Sequence, residues 1–110
     1  MTVRNEAPAT LLAQLLGEVD VVTGGVVPGI APATTFLRDP DNRYSRGYAY
    51  GRDDNPSVRL GERVLAALEG GAGALLFGSG MAAATAVFQA MPAGTRIVAP
   101  RVMYWGLRKW

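Results

Sequence analysis

A chain of 110 residues has room for one modest domain, and its 49% hydrophobic content argues for a packed core over disorder. It contains neither cysteine nor histidine. That excludes disulfides, thiolate nucleophiles, histidine acid–base catalysis and Cys/His metal sites. The net charge of +2 hides an asymmetry: residues 1–69 hold all nine acids and seven of the eleven bases, whereas residues 70–110 hold Arg96, Arg101, Arg108 and Lys109 and no acid. Four charges so dispersed, without aromatic interleaving before the tail, make a weak footprint for nucleic acid, and no nucleic-acid partner is expected. No apolar run approaches 18 residues, and Met1–Pro8 lacks a charged-then-apolar leader pattern. The expectation is a cytoplasmic protein with no membrane partner.

The first predicted element is a short helix over residues 8–16, with Leu11, Leu12, Leu15 and Leu16 on one face and Gly17 near its end. From Asp20 to Asp54 no period holds, and Gly24, Gly25, Pro28, Gly29, Pro32, Pro40, Gly47 and Gly51 punctuate the chain. Such a long irregular stretch is uncommon inside a compact domain. With Phe36, Tyr44, Tyr48 and Tyr50 it is too aromatic for a solvated linker, so it is expected to lie against something, such as another subunit. Asp39 and Asp41 read as turn residues around Pro40.

Asn55-Pro56 starts the next helix, because asparagine is a good N-cap and proline suits the first helical position. It is expected to run to Glu69 and to close on Gly70-Gly71. Arg59, Glu62 and Arg63 read as its solvated face, and Asp53 and Asp54 as charges beside its positive end. A buried strand is expected over residues 74–77, a turn at Gly78-Ser79-Gly80, and a largely buried helix over 81–91. Pro92-Ala93-Gly94 stops that helix, and Arg96–Ala99 reads as a second strand, completing a right-handed parallel βαβ unit. Two parallel strands do not make a stable sheet, so the domain is expected to be incomplete.

Gly78-Ser79-Gly80-Met81-Ala82-Ala83 fits G-x-G-x-x-A between a strand and a helix. Such a turn bares backbone N–H groups at the positive end of a helix, a ready anion site. A dinucleotide-binding domain is one reading, but no Asp or Glu follows Glu69 to take a ribose, which leaves only an NADP type using Arg101. A tight turn whose glycines serve packing alone is another.

The neighbouring residues add a pattern. Tyr50-Gly-Arg52-Asp-Asp-Asn55-Pro56 resembles the Y-x-R-x-x-N-P signature of the cystathionine γ-synthase (Cys/Met metabolism, transsulfuration) family of pyridoxal 5'-phosphate (PLP) enzymes. Leu68-Glu-Gly-Gly71, Ser79-Gly-Met-Ala-Ala83, Ile97-Val-Ala-Pro100 and Tyr104-Trp-Gly106 resemble further motifs of that family, as does Pro28–Phe36 upstream. Order and spacing agree from about Thr23 to Trp110. Trp105 stands where small residues are frequent, and Leu107 and Ser57 where threonine is common.

The resemblance implies an α/β chain: residues 1–54 as an N-terminal helix and irregular inter-subunit arm, and 55–110 as the first βαβ portion of an aspartate-aminotransferase-like (fold type I) PLP domain. It implies that the N–H groups of Gly80 and Met81, beside Ser79, hold the cofactor phosphate, and that Tyr50 and Arg52 reach the phosphate from a neighbouring subunit. Tyr104 matches the tyrosine that stacks on the pyridine ring and is a candidate for proton transfer. Tyr44-Ser45-Arg46 repeats Y-x-R at the wrong distance from Asn55-Pro56 and reads as a surface or interface pair.

The family's cofactor-bearing lysine, the acid for the pyridine nitrogen and the arginine for the substrate carboxylate all lie downstream of Y-x-G. Lys109, the only lysine, matches none of them. The chain is therefore expected to be a fragment, inactive alone. Its parent would be a homo-oligomer (dimer or tetramer) catalysing β- or γ-elimination or replacement on sulfur amino acids or activated homoserine. A non-catalytic partner of a full-length homologue and an NADP-type domain are the alternatives.

Overall fold

A computed structural model describes residues 7–110; the leader-free reading of residues 1–6 lies outside them. The chain divides into two compact units, one running to Leu75 and one spanning Leu76–Trp110.

In the first unit α1 spans Pro8–Gln14, with Pro8 at its first position, where a missing N–H costs nothing. The helix expected to reach residue 16 stops two residues earlier. Leu15 and Leu16 take left-handed backbone angles (φ 44° and 64°) and the chain continues as a 3-10 turn over Leu15–Gly17. The Leu15 N–H bonds back to the Leu11 and Leu12 carbonyls, so the helix end is satisfied although the closing residue is not glycine.

The Asp20–Asp54 segment holds no helix and one antiparallel bridge, Thr35 with Tyr50, among the described residues. It is ordered by local turns. The Asp20 carboxylate accepts the Val22 and Thr23 N–H groups and the Thr23 hydroxyl. Asp39 and Asp41 organise the turn at Pro40, as expected. Phe36 and Tyr48 pack their rings 5.3 Å apart.

α2 runs Pro56–Leu68, capped by the Asn55 side chain and closed as its glycines suggest. Gly70 is left-handed at φ 62°, and the Gly71 N–H reaches the Ala66 carbonyl at 2.9 Å. α1 and the 3-10 turn pack on α2, where Val64 is the one buried hydrophobic residue among those described (5% exposed). The helix face expected to be merely solvated is engaged. Arg59 forms a two-pronged ion pair with Asp54 and lies over the Tyr48 ring, and Arg63 meets Glu18 at 2.5 Å.

In the second unit α3 spans Gly80–Gln89 and α4 spans Trp105–Lys109. They pack together, with Phe88 and Trp110 stacked at 6.4 Å. Two expectations are corrected here. Residues 74–77 and 96–99 form no strands, and α3 has no buried residue. A parallel strand exists only through ladder hydrogen bonds to neighbours, with both faces covered. Neither segment belongs to a strand ladder among the described residues, and Leu75 and Val98 stand 75% and 92% exposed. The same lack of cover leaves α3 an apolar helix half in solvent.

Candidate functional site

Ser79 sits in extended backbone (φ −157°, ψ 154°) and its hydroxyl accepts the Ala82 N–H at 3.1 Å, while its carbonyl takes the Ala83 N–H at 3.1 Å. A helix leaves its first N–H groups without intrahelical acceptors. With Ala82 and Ala83 satisfied, Gly80 and Met81 are the two donors left over, and no acceptor among the described residues meets them. They point from the positive end of a helix macrodipole. The space where a Gly80 side chain would stand is empty to 4 Å, and the first turn of α3 carries no acid. Two free amides, open space and no competing carboxylate fit a phosphate group.

Tyr104 immediately precedes α4. Its ring lies against Gly106: a β-carbon built there would stand 2.7 Å from the ring, so glycine is what lets the ring occupy this place. Tyr104 is 70% exposed, and an exposed aromatic side chain can take a stacked partner. Lys109 stands 5.3 Å above the Trp105 ring.

In the first unit the structure brings Tyr50 and Arg52 together, with the Arg52 guanidinium 5.0 Å from the Tyr50 ring centre. Their turn is fixed by backbone. The Asp53 and Asp54 N–H groups both donate to the Tyr50 carbonyl at 3.0 Å, and Gly51 N–H donates to the Thr34 carbonyl at 2.7 Å. A β-carbon at Gly51 would stand 2.4 Å from the Ala33 carbonyl oxygen, so that position requires glycine in this packing.

The other arginines of this unit show what is distinctive about Arg52. Arg38 reaches Asn42, Arg43 pairs with Asp41, Arg46 with Asp39, Arg59 with Asp54 and Arg63 with Glu18. Arg52 alone among the described arginines of the first unit meets no oxygen acceptor. The second Y-x-R, Tyr44 and Arg46, is consumed internally. Arg46 lies 3.2 Å from Asp39, whose carboxyl is held below its usual range chiefly by the Ser45 N–H, with Arg46 adding to the effect. Asp20 is likewise held low, first by the Thr23 N–H.

Sequence reasoning missed one feature of this region. Asn55 is marked by its sequence context as a helix cap, yet its amide nitrogen also donates to the Ala31 carbonyl at 2.9 Å, and Ser57 Oγ accepts the Ala31 N–H at 2.9 Å. The one available signal was the choice of asparagine, a cap that can donate as well as accept. Among the described residues no helix is long and apolar enough to cross a membrane.

The profile of the Cys/Met metabolism PLP-dependent enzyme family matches residues 9–109. The chain belongs to that family, whose members depend on pyridoxal phosphate. Among curated relatives, it is similar to cystathionine gamma-lyase of Sus scrofa, 33% identical over 85 residues, and of Homo sapiens, 34% over 85 residues, each alignment covering 77% of this chain and 21% of the relative. The cystathionine gamma-lyase of Saccharomyces cerevisiae is 33% identical over 94 residues, covering 86% of this chain and 24% of the relative. The chain thus spans between a fifth and a quarter of the length of these relatives.

Proposed function

We propose that this chain is the cofactor-gripping N-terminal portion of a PLP-dependent transsulfuration enzyme, one that eliminates or replaces a group at the β- or γ-carbon of a sulfur amino acid or an activated homoserine. The observation that carries the reading is the pair of unpaired donor sets: the Gly80 and Met81 amides at the start of α3, and the Arg52 guanidinium beside Tyr50. A phosphate dianion suits both, through a helix N-terminus and through a planar fork of N–H groups. When bound, PLP supplies an electron sink for charge developing on the substrate.

In this reading the chain's own residues bind and orient. Gly80 and Met81 donate to phosphate oxygens, and Ser79 holds the helix end that presents them. Tyr50 and Arg52 serve a phosphate held by a partner subunit, which makes residues 1–54 an arm and residues 55–110 the opening of a fold type I domain whose strands complete their ladders in a larger sheet. Tyr104 covers the ring, keeps water from it and is placed for proton transfer through its phenol. Lys109 lies over the Trp105 ring and matches none of the family's catalytic positions, so in this reading the chain alone is inactive.

The test is to mix the chain with PLP, reduce with borohydride, map modified peptides, and assay cystathionine and O-acylhomoserine turnover. Saturable PLP binding without turnover and without specific modification of Lys109 is the expected result. Turnover, or stoichiometric modification of Lys109, would overturn it.

A further inference from the structure

The start of α2 holds the backbone of one residue far upstream, Ala31, with two side chains. Asn55 Oδ1 accepts the Ser57 N–H at 2.9 Å while its amide nitrogen donates to the Ala31 carbonyl, and Ser57 Oγ takes the Ala31 N–H. Both polar groups of Ala31 are therefore satisfied, and Asn55, at 8% exposed, is the buried polar residue of the described chain. No buried polar side-chain atom among the described residues goes unpaired.

The rest of the same segment grips the other side of the Tyr50–Asp54 turn. Thr35 bridges Tyr50, the Thr34 carbonyl takes the Gly51 N–H, and the Phe36 N–H donates to the Ala49 carbonyl at 3.2 Å. Residues 31–36 thus hold the chain just before Gly51 and just after Asp54, leaving Arg52 at the apex of a turn fixed at both ends. A long cationic side chain loses less freedom on binding when its backbone is already fixed.

We infer that Asn55 and Ser57 are positioning residues for the phosphate-binding pair Tyr50 and Arg52. They act by clasping Ala31, beyond their role as a helix cap. The inference rests on the reading of Arg52 as a phosphate ligand.

The experiment follows the Arg52 Nε–H resonance of the full chain during titration with inorganic phosphate, alongside helix content by circular dichroism and amide exchange at Ala31. Asn55→Ser keeps a neutral capping oxygen but lacks the reach to Ala31, Ser57→Ala removes the acceptor, and Ser57→Thr restores it. The expected result is unchanged helix content and faster Ala31 exchange in the first two variants. Half-saturation should need about threefold to tenfold more phosphate in them, the worth of one lost hydrogen bond, with recovery in Ser57→Thr. Faster Ala31 exchange with wild-type phosphate affinity would reduce the clasp to a structural role and overturn the inference. If phosphate leaves the wild-type Arg52 resonance unmoved, the phosphate reading of Arg52 fails and the positioning role fails with it.

Discussion

Replacing Ser79 separates two roles that one side chain combines. Its hydroxyl accepts the Ala82 N–H at 3.1 Å, and the Gly80 and Met81 amides beside it stay free. Ser79→Ala removes the cap, which costs about 1 kcal/mol and lowers the population of an intact first turn roughly fivefold. Ser79→Asp keeps a capping oxygen and adds favourable charge at the helix dipole, so α3 should be as stable as before or firmer. That same carboxylate faces any bound anion. Unit charges about 4 Å apart repel by about 1 kcal/mol in bulk water and by about 4 kcal/mol at a typical surface dielectric. Phosphate binding should fall tenfold or more in Ser79→Asp and only modestly in Ser79→Ala. Titration with inorganic phosphate, read at the Gly80 and Met81 amide resonances with helix content monitored in parallel, checks both arms. Wild-type phosphate affinity in Ser79→Asp would refute an anion site at this helix end.

Gly106→Ala should leave stability equal or improve it by up to about 1 kcal/mol, since alanine outranks glycine in a helix. The added methyl must nonetheless displace the Tyr104 ring that would lie 2.7 Å away, visible as shifted ring-proton resonances and a loss of pyridoxal affinity. Asp39 predicts an acid response with a definite sign. Its folded carboxyl is held low by the Ser45 N–H, so the stability it contributes is present above the ordinary carboxylate range, about pH 4, and is lost as pH falls through the depressed folded value. The Ser45 amide shift should titrate with a midpoint below that of a free aspartate, and Asp39→Asn should abolish the transition.

What was legible in the sequence was local. Asn55-Pro56 and Gly70-Gly71 bound α2, because caps act within a turn of their own residue. The left-handed angles at Leu15 and Leu16 carry no such mark, since leucine at those positions continues the apolar stripe of a longer helix. The strands expected at residues 74–77 and 96–99 do not form, because a strand is defined by its neighbours and an apolar run specifies none of them. The second bond of Asn55 was hidden for a related reason. Its acceptor is the backbone of Ala31, and a carbonyl oxygen has no sequence signature. Of the candidate site, the motifs named Tyr50 and Arg52, but only the pairing of the other arginines shows that Arg52 is unspent.

The charge asymmetry takes on a different meaning once those pairings are known. As a sequence statistic, four bases and no acid after Glu69 suggested a diffuse basic half. In the first unit four acids each hold an arginine, namely Glu18, Asp39, Asp41 and Asp54, and none of these four holds Arg52. In the second unit an acid near the start of α3 would compete for the Gly80 and Met81 amides, as a carboxylate at a helix N-terminus readily does. None is present in its first turn. Both units therefore reach one electrostatic condition by opposite means, one by pairing every other described arginine and the other by excluding carboxylates. Each leaves a donor set with no acceptor among the described residues, open to solvent and to an external anion. A surface built for nucleic acid would instead multiply its free cations along a face. Here the donors are few and each is backed by fixed backbone, which supports the proposed phosphate reading over a nucleic-acid one.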